Sequence, residues 1–356
     1  MTKRFRLPGL IDIHTHLRTP GQTHKEDFYT GTTSALNGGF TTIIDMPNNL
    51  MPITTSKLLD EKIRIAKENI FCDVGFHFGS LGNNLDEFSK INGKVFGLKL
   101  YLNQTTGNFI IGKKELDRIY SSWKSDQPIL LHAEEDMLDM VFKIVKRTKR
   151  KTHICHVSSE IELSIIMKAK EKGLPVTCGV TPHHLFLTNK DEKRLGAFGK
   201  MKPYLKSKGD VDFIWKNLKY VDVIESDHAP HTIEEKNPPA SGDVPFGVPG
   251  LDTTLPLLLT AYSNNKLTID EIKRLCFDGP AKIFNIKTSD KTYIEAEMVD
   301  YTLSKRDLKT KCKWSPFEGM KMVGKVKNVT IKGKKVMESG KIIAKKGSGR
   351  IIFPAA

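Results

Sequence analysis

Gly9-Leu10-Ile11-Asp12-Ile13-His14-Thr15-His16-Leu17-Arg18 is an apolar run that ends in two imidazoles spaced two residues apart. Read as a strand, it puts Leu10, Asp12, His14 and His16 on one face and Ile11, Ile13 and Thr15 on the other, because successive side chains alternate. Two imidazoles side by side at a strand end suit two ligands of one metal ion. A hydrogen-bonded polar pair fits the same spacing, so the choice rests on what the rest of the chain brings to that place.

Working outward, seven further strand-like segments follow at 41–46, 72–78, 96–101, 128–132, 152–157, 174–180 and 221–227. Helical patterns at 31–39, 56–68, 114–123, 137–147, 160–172 and 210–218 separate most of them. Strands alternating with helices in this way predict an α/β fold of the (β/α)8 TIM-barrel type. Beyond Asp227 come a Pro/Gly-rich loop at 237–250, apolar helices at 253–262 and 269–276, and short alternating runs such as 324–331 that read as antiparallel strands. The expected division is a barrel with C-terminal helices at 7–311, and a small β appendage formed by 1–6 with 312–356.

The 356 residues carry 56 Lys and Arg against 41 Asp and Glu, a formal charge of +15 that favours anionic partners or substrates. The excess is scattered, without aromatic interleaving or a recognisable nucleic-acid motif, so no nucleic-acid partner is expected. No run is long and apolar enough for a membrane span, and the N-terminus does not read as a signal peptide, so a soluble, cytoplasmic protein without membrane association is expected. Five dispersed cysteines in apolar surroundings read as reduced thiols.

In a parallel barrel, functional groups gather at the C-terminal ends of the strands. His14 and His16 end the first strand, Lys99 lies near the end of the fourth, His132 ends the fifth, His156 the sixth and Asp227 the eighth. Four neutral imidazoles and a carboxylate can hold two divalent ions, zinc by ligand type. Two ions so close need an anionic bridge, which a carboxylated Lys99 (N6-carboxylysine) would supply. For the lysine alone, snorkelling or pairing with Asp227 remains open.

Several motifs give a sharper reading: His14-Thr-His16-Leu-Arg18, Met46-Pro-Asn48, Gly97-Leu-Lys-Leu-Tyr-Leu-Asn103, His132-Ala-Glu134, His153-Ile-Cys-His-Val157, Pro182-His-His-Leu-Phe186 and Ser226-Asp-His-Ala-Pro-His231. Together they resemble the dihydroorotases of the amidohydrolase superfamily, most of all the dihydroorotase domain of the animal multifunctional pyrimidine-synthesis polypeptide. Thr23-His-Lys-Glu-Asp-Phe28, Thr232-Ile-Glu-Glu-Lys236, Pro256-Leu-Leu-Leu-Thr260 and Trp314-Ser-Pro-Phe-Glu-Gly319 extend the likeness across nearly the whole chain. The resemblance implies reversible cyclisation of N-carbamoyl-L-aspartate to L-dihydroorotate. It assigns His14, His16, Lys99 and Asp227 to one zinc, and carboxylated Lys99, His132 and His156 to a second, with a hydroxide completing the bridge. It assigns Arg18, Asn48 and His231 to the substrate carboxylate, Pro249 and Gly250 to backbone contacts with the ring, and Thr105 and Thr106 to a mobile loop that closes on substrate. Asp227 would carry the proton. It further implies a homodimer, with carbamoyl-phosphate synthetase and aspartate transcarbamoylase domains as candidate partners. Independently of the resemblance, Arg18 lies two residues past His16 on the same strand face, and a guanidinium beside a metal site suits bidentate carboxylate binding.

Two positions depart from the animal pattern. Lys202 stands where that pattern has an arginine at the substrate, keeping the charge without the fork. Gly179 stands where it has a glutamate that serves an extra zinc with the cysteine matching Cys155. Cys155 is then expected to be a buried apolar residue, and two zinc ions per chain are expected. The competing readings are another cyclic-amide hydrolase, of hydantoinase or allantoinase type, and a catalytically silent dihydroorotase-like assembly domain.

Overall fold

Gly9 separates β1 (Arg4–Pro8) from β2 (Leu10–Thr15). A side chain there would collide with Thr41, whose Oγ1 would sit 2.2 Å from an added Cβ, so only glycine lets the chain pass into the barrel at this point. The computed structural model describes residues 4–105, 110–238 and 243–355.

β2 pairs in parallel with β3 (Phe40–Asp45), and β3 with β4 (Asp73–Phe76). A second parallel sheet runs through β5 (Phe78–Gly79), β6 (Leu98–Tyr101), β7 (Ile129–His132), β8 (Thr152–Ile154), β9 (Val176–Val180) and β10 (Val223–Ile224). The segment read as one strand at 72–78 is thus two. It breaks at His77, whose ring Nε2 bonds Ile13 O at 2.9 Å, so β4 serves one sheet and β5 the other. The far edges meet at a parallel bridge between Thr15 and His228, where the His16 N–H donates to His228 O at 2.8 Å. The strand positions read from the sequence therefore follow one another around a barrel.

The helices begin where a side chain can accept the first free N–H groups. Asp27 caps the helix Phe28–Asn37, Ser159 caps Glu160–Glu171 and Ser207 caps Lys208–Lys216, each through a reciprocal box with the third helical residue. The first of these starts three residues earlier than its apolar pattern suggests, because Asp27 supplies the cap.

The appendage is an antiparallel sheet in the order β1, β11 (Tyr293–Thr302), β12 (Lys321–Ile331), β13 (Lys334–Glu338) and β14 (Lys341–Ile342). β11 lies inside the stretch that the sequence reading placed with the barrel. Its apolar face, with Leu7, Ile294 and Val326, joins the same buried cluster as Leu10, Phe40 and Leu255 of the barrel. The tail does not end with the appendage. Arg350 O accepts the Val74 N–H at 2.9 Å and its guanidinium pairs with Asp73, so the chain returns to the start of β4.

Candidate active site

Asp12 organises the mouth of the barrel. Wholly buried, its carboxylate accepts the His14 N–H at 3.0 Å and the Ser226 N–H at 3.2 Å, which ties the end of β2 to the segment after β10. That segment leaves the sheet after Ile224 to make this bond, so the eighth strand is shorter than its apolar run. Asp227 then takes φ +43°, His156 +39° and Arg18 +61°. Left-handed backbone at three non-glycine residues of one mouth is strain of the kind that collects at functional sites.

Asp227 Oδ1 lies 3.2 Å from His14 Nε2 and 2.9 Å from His16 Nε2. The second ring nitrogen of His16 stands 2.6 Å from Asn48 Oδ1. An amide oxygen only accepts, so Nδ1 carries the hydrogen and the Nε2 lone pair faces the aspartate. Across the mouth, His132 Nδ1 and His156 Nε2 are 3.0 Å apart. Lys99, buried between these groups, places Nζ 3.3 Å from Cys155 Sγ. Among the described residues its hydrogen bond goes to this thiol rather than to Asp227.

These residues fit a metal centre. Burial lowers the pKa of His132 and His156 and brings His16 to about 4, which keeps the rings neutral as ligands require. Burial works against ionising Asp227, but the nearby His14 and His16 hold its carboxyl well below the usual range. His14, His156 and Asp227 bring ligand atoms within 4.8 Å of one another, and among the described residues the buried His132 Nε2 and His156 Nδ1 have no hydrogen-bond partner.

The cavity above these groups is lined by His14, His16, His132, His156 and Asp227 together with Arg18, Asn48, Thr105 and Lys202. Arg18 is anchored by a bond from Nε to Pro230 O at 3.1 Å, and its Nη2 lies 3.1 Å from His231 Nε2. His231 is buried behind the arginine, where Lys25 Nζ approaches its Nδ1 at 3.3 Å and Phe246 O its Nε2 at 3.0 Å. Lys202 Nζ rests 3.9 Å above the Tyr204 ring. Gly250 is placed differently from the sequence reading: its N–H goes to His228 Nδ1 at 3.2 Å and its carbonyl to Thr253 and Thr254. Neither it nor Pro249 lines the cavity, whereas Ala229, Phe246 and Gly247 do. Thr106 lies outside the described residues.

The profile of the amidohydrolase family matches residues 5–208. A dihydroorotase of Pyrococcus horikoshii is 36% identical over 370 residues, covering 97% of this chain and 84% of that protein. The chain belongs to the dihydroorotases of the amidohydrolase family. Multifunctional protein CAD of Squalus acanthias is 40% identical over 353 residues, which cover 98% of this chain but only 16% of that protein. Among solved structures, the L-hydantoinase of Arthrobacter aurescens superposes with a TM-score of 0.92 at 24% identity, covering 98% of this chain and 89% of the other. That likeness confirms the barrel.

In this dihydroorotase fold, Gly179 does not leave the place beside Cys155 without a carboxylate. An ideal Cβ at Gly179 would lie 2.6 Å from Glu225 Cδ, so the space beside the glycine is filled by a carboxylate from the neighbouring strand end. The ligand atoms of His14, Cys155 and Glu225 fall within 4.8 Å of one another, and Cys155 is not without an acidic neighbour. Glu225 carried a signal that was overlooked: an acid in the apolar run Val221 to Asp227, two residues before Asp227 on the same face. Tyr101, two residues past Lys99, was legible in the same way. Phe246 and Gly247, inside a Pro/Gly-rich loop, had no periodic signal.

Proposed function

We propose that this protein is a zinc-dependent dihydroorotase, interconverting N-carbamoyl-L-aspartate and L-dihydroorotate in pyrimidine biosynthesis. The observation that carries the reading is the convergence of Arg18 and Asn48 with four imidazoles and Asp227 on one small cavity. A substrate with a carboxylate beside a cyclic amide needs both halves.

His14, His16 and Asp227 would hold one zinc and His132 and His156 a second, with Lys99 as its carbamate bridging the two. Such a pair supplies a nucleophilic oxygen near neutral pH and polarises the scissile carbonyl. Arg18, backed by His231 and helped by Asn48, binds the substrate carboxylate, and Lys202 adds positive charge at the rim. In ring opening, Asp227 accepts the proton of the attacking water and delivers it to the departing ring nitrogen as the carbon–nitrogen bond breaks. In ring closure, the terminal carbamoyl nitrogen attacks the side-chain carboxyl carbon of the aspartate. Asp227 takes the proton from that nitrogen, and water leaves. Thr105 belongs to the loop that closes over the bound ring. The protein works as a homodimer in the cytoplasm, with carbamoyl-phosphate synthetase and aspartate transcarbamoylase domains as partners.

Rates on L-dihydroorotate and on hydantoin test the reading. A kcat/KM for dihydroorotate at least about a hundredfold higher is expected, because a site with a buried carboxylate-binding arginine penalises a ring lacking that group. Equal rates, or a preference for hydantoin, would overturn it.

A further inference from the structure

Glu225 lies at the end of β10 with both its residue and its side chain fully buried, yet neither zinc assignment uses it. One oxygen, Oε1, accepts the His156 N–H at 2.5 Å. The other, Oε2, stands 3.3 Å from His14 Nδ1 and 3.6 Å from His153 Nε2, close enough for charge attraction although, among the described residues, it forms a hydrogen bond with neither. One carboxylate thus faces His14, in β2, and the backbone of His156, just past β8, two residues whose rings lie 5.3 Å apart. Its room exists because residue 179 has no side chain: the three atoms that an added Cβ would meet there all belong to Glu225.

We infer that Glu225 is a positioning residue for the metal centre, fixing the tautomer and direction of His14 and the backbone of His156 from behind. The inference rests on the metal-dependent reading above. A carboxylate only accepts hydrogen bonds, so the nitrogen of His14 that faces it carries the hydrogen. The opposite nitrogen, Nε2, then presents its lone pair to the mouth, on the side where Asp227 stands 3.2 Å away. Carboxylates behind ligating histidines do this work in metal sites generally, and their loss costs about 10–100-fold in metal affinity or activity. His153, whose Nδ1 lies 2.9 Å from Thr177 Oγ1, leaves its Nε2 on the side of the same carboxylate oxygen.

The test is zinc affinity, measured by competition with a chromophoric chelator on the full chain, with dihydroorotate kinetics at saturating zinc alongside. Glu225→Gln keeps the shape and should weaken zinc about 10–100-fold, with the full zinc count recovered at high zinc and KM unchanged. Gly179→Ala leaves Glu225 in the sequence but pushes its carboxylate, so it should also weaken zinc; in a Glu225→Ala background it should do nothing further. Returning a carboxylate from the other strand, in Gly179→Glu with Glu225→Ala, should recover most of the affinity. Parental affinity in both Glu225→Gln and Gly179→Ala would overturn the inference alone. Loss of one whole zinc equivalent, with the remaining ions bound as tightly as in the parent, would overturn it in favour of direct ligation by Glu225. A parent chain that takes up no zinc would overturn the metal reading itself.

Discussion

Replacing Lys62 by Met should be among the most damaging single changes outside the mouth. Lys62 reaches from the helix Ser56–Lys67 into the barrel, and both it and Asp45 are 1% exposed. Its Nζ lies 2.6 Å from Asp45 Oδ2 and donates to Met46 O and Asn49 Oδ1, both at 2.8 Å. Asp45 in turn accepts the Leu17 N–H at 2.7 Å. Methionine matches the length of the lysine stem but leaves a buried carboxylate uncompensated, which costs about 3–5 kcal/mol. It also releases the two segments that carry Arg18 and Asn48. Urea unfolding of zinc-free protein, read by fluorescence and circular dichroism together, would measure the loss. Adding Asp45→Asn should recover a large part of it, since the amide oxygen still accepts from Leu17 while the stranded charge is gone. A loss below about 1 kcal/mol for Lys62→Met, the scale of an exposed pair, would refute the claim that this buried pair holds β2 and β3 in register at the mouth.

Asp227→Asn should retain zinc and lose about 10²–10⁴ in kcat as the proton carrier disappears; steady-state kinetics showing a loss under about tenfold would reject that role. Arg18→Lys keeps the charge but not the fork, and should raise KM for dihydroorotate at least about tenfold at unchanged zinc content. A KM within about twofold would remove Arg18 from substrate binding. Burial brings the pKa of His184 from 6.5 to about 4, against the hydrogen bond to Pro203 O that favours its charged form. The unfolded chain therefore takes up a proton near pH 6.5 that the folded chain refuses until about pH 4, so stability falls as pH drops through that window. His184→Gln should flatten the slope by about 1.4 kcal/mol per pH unit; an unchanged slope in zinc-free protein would contradict it.

The strand ends were the legible part of this site. His14, His16, Lys99, His132, His156 and Asp227 each lie at or near the end of an apolar run, and parallel strands in one barrel must deliver such residues to one mouth. Periodicity also gave the longer helices, the first with a boundary that the Asp27 cap moved, while short ones such as Pro182–Phe186 and Asn189–Leu195 carried no periodic signal. The break at His77 was hidden, because the apolar pattern continues through it while a ring-to-backbone bond, visible only in three dimensions, ends one sheet and starts the other. The return of the tail to β4 was hidden for a similar reason: backbone hydrogen bonds leave no mark on residue type. Gly179 misled because a glycine was read as missing chemistry, when its missing side chain is what admits Glu225. Gly250 was placed by resemblance, but the pairing of its N–H with His228 decides where its backbone points.

The central claim, that a zinc pair in this mouth interconverts dihydroorotate and carbamoyl aspartate, is tested most directly by adding zinc stepwise to chelator-stripped protein while following dihydroorotate ring opening. No turnover is expected without metal, and the rate should climb to a plateau at about two zinc ions per chain, the number that a binuclear hydrolytic site requires. Full activity in the stripped protein, or a plateau at one ion per chain, would contradict it.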